Sequence, residues 1–196
     1  MNEPQTGRAE EINMNRNLSI LLGVIVLAGA AVWAASMSGR GSSYADDYAE
    51  IDDLMARYLF ALDWQDPEMY GNLFTEDGVL VWAGGTVDGR AAIIQEIHNA
   101  RAADEKANAA TPDLHPFKRR HFISNFTVRI DGDKATARSL WFEFNNDNPE
   151  RRPYVGAYGH LEDELRRVDG HWLFAHHKVY NEQRPAMTAG DTNPAW

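Results

Sequence analysis

Residues 121–144 read HFISNFTVRIDGDKATARSLWFEF. Two runs rich in β-branched and aromatic residues flank Ile130-Asp131-Gly132-Asp133, and Asp-Gly between such runs is a strong hairpin signal. The pattern repeats downstream, first across a polar turn at 145–153 and then across Val168-Asp169-Gly170-His171. These signals predict strands at about 121–130, 134–144, 154–168 and 171–180.

The half before them is helical. Ile51, Leu54, Met55, Tyr58, Leu59 and Leu62 recur at the three-and-four spacing of one buried stripe, which predicts a helix ending at about Asp63. Asp66 precedes Pro67 as an N-cap precedes the first helical position, so a short second helix is expected over 67–73. A turn at Thr75-Glu76-Asp77-Gly78 then releases a strand, Val79-Leu80-Val81-Trp82. Gly84-Gly85 with Asp88-Gly89 reads as a turn and an N-cap, and Ala92, Ile93, Ile97 and Ala100 predict a third helix. Residues 104–118 read as a polar connection, either a lid or a disordered loop. Three helices followed by an antiparallel sheet make an α+β domain with the helices on one face.

Residues 18–36, LSILLGVIVLAGAAVWAAS, carry no charge. As a helix this run spans roughly 28 Å, close to the hydrocarbon thickness of a bilayer. It is either a transmembrane anchor or a signal-peptide core, with possible cleavage near Ala35 or Ala45. The chain therefore divides into a polar leader (1–17), the apolar segment (18–36), a linker (37–45), the folded domain (46–183) and a C-terminal tail (184–196). The expected location is membrane-anchored or exported, with the globular domain outside the cytoplasmic membrane. A net charge of -10 argues against nucleic acid as a partner, and Lys118-Arg119-Arg120 is too short a basic run to reverse that. With no cysteine, disulfides and thiolate nucleophiles are excluded.

The order of elements, the phrase Leu73-Phe74-Thr75-Glu76-Asp77-Gly78, the helix after Asp88-Gly89-Arg90, His121-x-x-x-Asn125 and Asp169-Gly170-x-Trp172 resemble the SnoaL-like branch of the nuclear-transport-factor-2-like superfamily. The resemblance covers residues 46 to about 183. That branch includes polyketide cyclases, scytalone dehydratase and bile-acid dehydratase. It implies a cone-shaped α+β fold in which three N-terminal helices pack on a curved antiparallel sheet, here preceded by one hydrophobic N-terminal helix. In the dehydratases of this group an Asp at the end of the first helix orients a His from the strand after the lid, and nearby Tyr side chains hold the substrate. By motif these positions fall on Asp63, His121 and Tyr58. The chemistry is coherent, because an imidazole titrates near neutrality and a partner carboxylate fixes its tautomer. The competing reading makes Asp63 a solvated carboxylate and His121 an ordinary strand-end histidine.

Alternation places His121, Ile123 and Asn125 on one side of the first long strand and Phe122, Ser124 and Phe126 on the other. Asn125 is therefore a candidate to bond a substrate oxygen. Trp82, Trp141, Glu143, Tyr158 and His160 are further substrate-binding candidates, with His177 a second-tier candidate beside them. Resemblance to scytalone dehydratase calls for a second histidine on Ser139-Leu140-Trp141-Phe142-Glu143-Phe144, and none is there. Glu143 is available as a replacement acid, against the plainer reading that it pairs with Arg138 or Arg152. His176 and His177 are adjacent on a strand and point to opposite faces, so no metal site is expected. No Gly-rich phosphate loop is present.

The expected activity is that of a cofactor-independent dehydratase, hydratase or isomerase acting on an apolar cyclic or polyketide-like carbonyl compound. In this reading His121 is the base, Asp63 its partner and Tyr58 a donor to the substrate oxygen. The alternative is a non-catalytic module of the same fold that binds a small apolar or aromatic ligand or serves in assembly. A homodimer is expected, paired through the open face of the sheet where Tyr154, Phe142 and Tyr180 are candidates for exposure. Membrane contact is expected through residues 18–36 if they are not cleaved.

The topological expectation is directly testable by fractionation. The full chain should partition with membranes or be processed near residue 45, whereas a chain lacking residues 1–43 should be soluble and folded. Unprocessed full-length protein in the cytosolic fraction without detergent would overturn this reading.

Overall fold

The first long helix, α1 (Tyr44–Trp64), exists because its apolar stripe has something to cover: Ile51, Leu54, Met55, Tyr58 and Ala61 are all buried. In the computed structural model, residues 43–111, 119–185, 188 and 192–196 are described. The apolar segment 18–36, the leader before it and most of the linker lie outside these residues, as does 112–118 of the polar connection. Among the described residues no helix is long and apolar enough to cross a membrane.

Gln65 stops α1 by taking the left-handed region, with φ of 51°. Asp66 then caps α2 (Pro67–Gly71), its Oδ1 accepting from the Met69 amide at 2.9 Å with Pro67 in the first turn. Gly71 is required where α2 meets α3 (Arg90–Ala110), since a Cβ there would run into the side chain of Ile94. Helix α3 continues through Ala110, so the connection expected from residue 104 begins only after it. Its N-cap is Gly89 with no side-chain cap bond, and Asp88 instead ends a short strand. Arg90 fixes the start of α3 by donating to the Phe74 carbonyl from Nε at 2.9 Å and from Nη2 at 2.6 Å.

Six strands follow the order β2-β1-β6-β5-β4-β3. They are β1 (Phe74–Trp82), β2 (Gly85–Asp88), β3 (Arg120–Asp131), β4 (Lys134–Asn145), β5 (Tyr154–Val168) and β6 (His171–Val179). The sheet is mixed. Every neighbouring pair is antiparallel except β1 and β6, which run parallel. A crossover of helix and strands between β1 and β6 makes that pairing available, and hairpin signals carry no information about it. The expected turn at residues 75–78 is absorbed into β1, where the register with β6 shifts between Phe74 and Val79.

Helices cover one sheet face, and the core forms between them. Trp172, Phe74, Phe174, Leu80 and Leu161 from the strands meet Ile51, Leu54 and Ile93 from the helices, all at most 2% exposed. Asp47, itself buried in the first turn of α1, bonds Arg167 and the indole N–H of Trp172, the latter at 3.1 Å. That contact ties the start of α1 to the β5–β6 hairpin. On the uncovered face Phe122, Phe142 and Phe144 form a cluster, with Phe122 stacked on Phe142 at 5.2 Å. Leu140, Tyr154 and Tyr158 are also exposed. Tyr180 is half-buried, stacked on His160 at 4.3 Å.

Candidate functional site

Asp63 is the last acidic residue of α1 and His121 the second residue of β3, and the fold brings them into direct contact. The His121 ring lies with Nδ1 2.6 Å from Asp63 Oδ1. The backbone N–H of His121 donates to both carboxylate oxygens, at 3.2 and 3.1 Å. A carboxylate accepts and does not donate, so Nδ1 carries the proton on this side of the ring.

On the other side, His121 Nε2 is 3.0 Å from Glu143 Oε2. The register explains this, because His121 pairs directly with Glu143 across β3 and β4. Glu143 does not pair with Arg138 or Arg152. Arg138 reaches Glu162 at 3.7 Å, while Glu143 accepts from Asn145 Nδ2 at 3.0 Å and faces Arg119 Nε at 3.8 Å. A Cβ on Gly156 would strike Asn145 Nδ2 and Glu143 Oε1, so a glycine on β5 leaves the room in which Glu143 is held.

Burial pulls the His121 imidazole down, but the hydrogen bonds and charges of Asp63 and Glu143 outweigh it and hold the group above its ordinary value. Burial pushes Glu143 up, and the His121 bond, the Asn145 bond and the charges of His121 and Arg119 reverse that, leaving it below its ordinary value. Trp141 completes this corner, its ring 5.9 Å from that of His121 and its indole N–H bonded to the Tyr180 carbonyl at 2.9 Å.

Other candidates stand apart from this corner. Tyr58 is buried beside Tyr70, Phe174 and His177, with its ring 4.5 Å from the His177 ring. Burial, then the neighbouring Tyr70 and Asp163, hold its phenol well above its ordinary value, so it stays neutral. Asn125 does not share the His121 face. It is exposed and left-handed, with φ of 52°, at the point where the β3–β4 register shifts between Ser124 and Thr127. That bulge breaks the alternation and returns Phe126 to the helix side, 5.7 Å from Tyr48 of α1. Tyr158 pairs with Phe142 and is exposed on the opposite face of the sheet from Trp141 and Glu143. His160 shares that outer face and is covered by Tyr180, with Glu162 and Glu182 each 3.5 Å from its ring nitrogens. Trp82 sits partly buried at the end of β1 and packs on the core.

His177 belongs to a second polar pair whose partner, Asp163, the sequence does not single out. Both are wholly buried, with His177 Nδ1 2.5 Å from Asp163 Oδ1. Counting outward from the Asp169-Gly170 turn sets Asp163 against His176. A bulge on β6 between His176 and Phe174 moves His177 into that place instead. His177 Nε2 and Asp163 Oδ2 have no hydrogen-bond partner among the described residues.

The family model described as SnoaL-like domain matches residues 43–178. The chain belongs to the SnoaL-like domain family. Among solved structures, this SnoaL-like domain is similar to an NTF2-like protein with a cystatin-like fold from Novosphingobium aromaticivorans, at 26% identity and a TM-score of 0.56, over 83% of this chain and 91% of that one. A Catenulispora acidiphila protein, solved in complex with S-DNPA, is 26% identical with a TM-score of 0.56, over 72% of this chain and 98% of that one. A further Novosphingobium aromaticivorans structure, provisionally named a scytalone dehydratase, is 22% identical with a TM-score of 0.58, over 75% and 95% of the two chains, a likeness of fold. A comparison with the curated proteins found no match.

The titration of this SnoaL-like domain follows from these contacts. By NMR, His121 should titrate above the ordinary histidine value of about 6.5, and Asp63→Asn should lower it. A pKa raised by folding stabilises the fold fully below the unfolded value, and that contribution is lost as pH rises through the folded value. Denaturant stability should accordingly fall across that window in the wild type and less so in His121→Ala. A His121 titration at or below the ordinary value would contradict the geometry.

Proposed function

We propose that this SnoaL-like domain is a cofactor-independent dehydratase, hydratase or isomerase of an apolar cyclic or polyketide-like carbonyl compound, with Asp63 and His121 as its acid/base pair. The observation that carries the reading is the 2.6 Å contact between the two, made by a carboxylate that also bonds the His121 backbone. The sequence resemblance supports the reading, since by motif Asp63 and His121 fall where it implies an Asp–His pair. Hydrogen-bond reach is the first requirement of general acid–base catalysis, which contributes about 10²–10⁴ in rate. The complex of the Catenulispora relative with S-DNPA supports a small molecule as the occupant. Tyr58, neutral and engaged with Tyr70 in the core, has no proton-transfer role in this reading. With residues 18–36 as anchor or export signal, the activity lies outside the cytoplasmic membrane.

Turnover of 3-hydroxycyclohexanone, followed by enone absorbance, tests the reading. Asp63→Asn and His121→Ala should each lower it by about 10²–10⁴ while the fold is kept. The double variant should lose little more, because groups that act as a unit are strongly non-additive. Folded wild type that turns nothing over, yet yields a bound molecule on extraction, would support the binding-module alternative instead.

We also propose that a second copy of the chain covers the outer sheet face, where Phe122, Leu140, Phe144 and Tyr158 are exposed side by side on β3, β4 and β5. Residues 44–196 should then sediment as a dimer at micromolar concentration. A monomer at tens of micromolar would contradict this.

A further inference from the structure

We propose that Glu143 and His121 are opposite halves of one proton couple, in which the Glu143 carboxylate takes a proton from substrate carbon while His121 gives one to the leaving hydroxyl. This rests on the acid/base reading above and reverses the role that sequence alone assigns to His121.

Both ring nitrogens of His121 face carboxylate oxygens, Asp63 at 2.6 Å and Glu143 at 3.0 Å. An imidazole with one proton would set its bare nitrogen against a carboxylate, lone pair to lone pair. A second proton is therefore held in the Nε2–Glu143 contact. The surroundings decide where it rests. Asn145 donates to Glu143 Oε1, and the Arg119 guanidinium stands 3.8 Å from Oε2, both of which favour an ionised Glu143. His121 is thus an imidazolium, and an imidazolium has no lone pair with which to act as a base. The acceptor next to it is Glu143.

Exposure points the same way. The Asp63 side chain is 5% exposed, whereas those of His121 and Glu143 keep 12% and 13%. The two outer groups can meet a substrate, and Asp63 acts through His121 as a positioning residue.

The matching substrate class is a β-hydroxy carbonyl compound, with its acidic C–H and its hydroxyl on neighbouring carbons and on one face. Glu143 takes the proton next to the carbonyl, and the C–H electron pair becomes the new C=C bond. The C–O pair leaves with the hydroxyl oxygen, which takes the Nε2 proton and departs as water. Glu143 is then protonated and His121 neutral. Proton return across the 3.0 Å contact restores both, so the cycle needs no outside acid or base.

The full chain, labelled with ¹⁵N-histidine, tests this without substrate. At pH 7 both His121 ring nitrogens should carry protons, and Glu143→Gln should lower the His121 titration. Neutral His121 in the wild type, or a titration unmoved by Glu143→Gln, would overturn the proposal. With 3-hydroxycyclohexanone, kcat/KM should fall as pH rises through the His121 titration, because the acid is lost. A base would give the opposite slope, and a rise through that titration would overturn the assignment. Glu143→Gln should cost about 100-fold or more, with Glu143→Asp recovering part. A wild type inert toward this compound would count against the dehydratase reading, leaving the ¹⁵N titration to decide the roles of the two groups.

Discussion

Asp63 occupies a position that helix electrostatics disfavour. It is an acidic residue in the last turn of α1, where the partial negative charge of the helix terminus repels it and no basic residue is present to help. The carboxylate is stable there because β3 brings it three hydrogen bonds, one from the His121 ring and two from a shared backbone N–H. Such charge-assisted bonds are roughly twice as strong as neutral ones. The contact therefore fixes where α1 ends relative to the first strand of the β3–β4 hairpin, and in doing so it aims the imidazole. Fold and candidate site share one interaction.

The inner sheet face is more polar than a core of this size needs. Asp163 and His177 lie among Phe74, Phe174, Tyr58 and Tyr70, and each leaves one polar atom without a partner among the described residues. Removing one member of such a buried pair typically costs about 3–5 kcal/mol, whereas replacing both with apolar groups is often neutral or stabilising. Their presence thus does not follow from stability. Their contact does belong to a single register of β5 and β6, since a one-residue slip of either strand would turn its own member of the pair to the outer face.

Much of this was legible because strand alternation and hairpin signals are local. The four long strands fall within about a residue or two of their expected bounds, and Asp66 caps α2 as its Asp-Pro step implied. The family resemblance brought Asp63 and His121 together across 58 positions, which spacing alone could not do. The features that escaped are set by how strands meet. The parallel β1–β6 pair needs a crossover that no turn motif announces. Glu143 meets His121 only because β4 sets the two opposite each other, and in the sequence Arg138 and Arg152 are the natural guesses. Asn125 was misplaced because alternation assumes an unbroken strand.

Irregular points in the sheet recur beside the polar groups. The β3 bulge at Asn125 lets His121 and Ile123 face the helices on one side of it and Phe126 and Val128 on the other, so one strand serves both site and core. On β5 the register shifts opposite Glu143, between Val155 and Tyr158, where Gly156 leaves space for the Glu143–Asn145 contact. On β6 the shift between Phe174 and His176 brings His177 to Asp163. A regular ladder would have set Asp163 against His176 and turned Phe126 outward. Bulges re-aim side chains at the cost of ladder hydrogen bonds. Two of these shifts flank the His121–Glu143 corner and the third serves the separate Asp163–His177 pair, with the loss of ladder bonding offset by the apolar burial of Trp172, Phe174 and Leu161 on the same face.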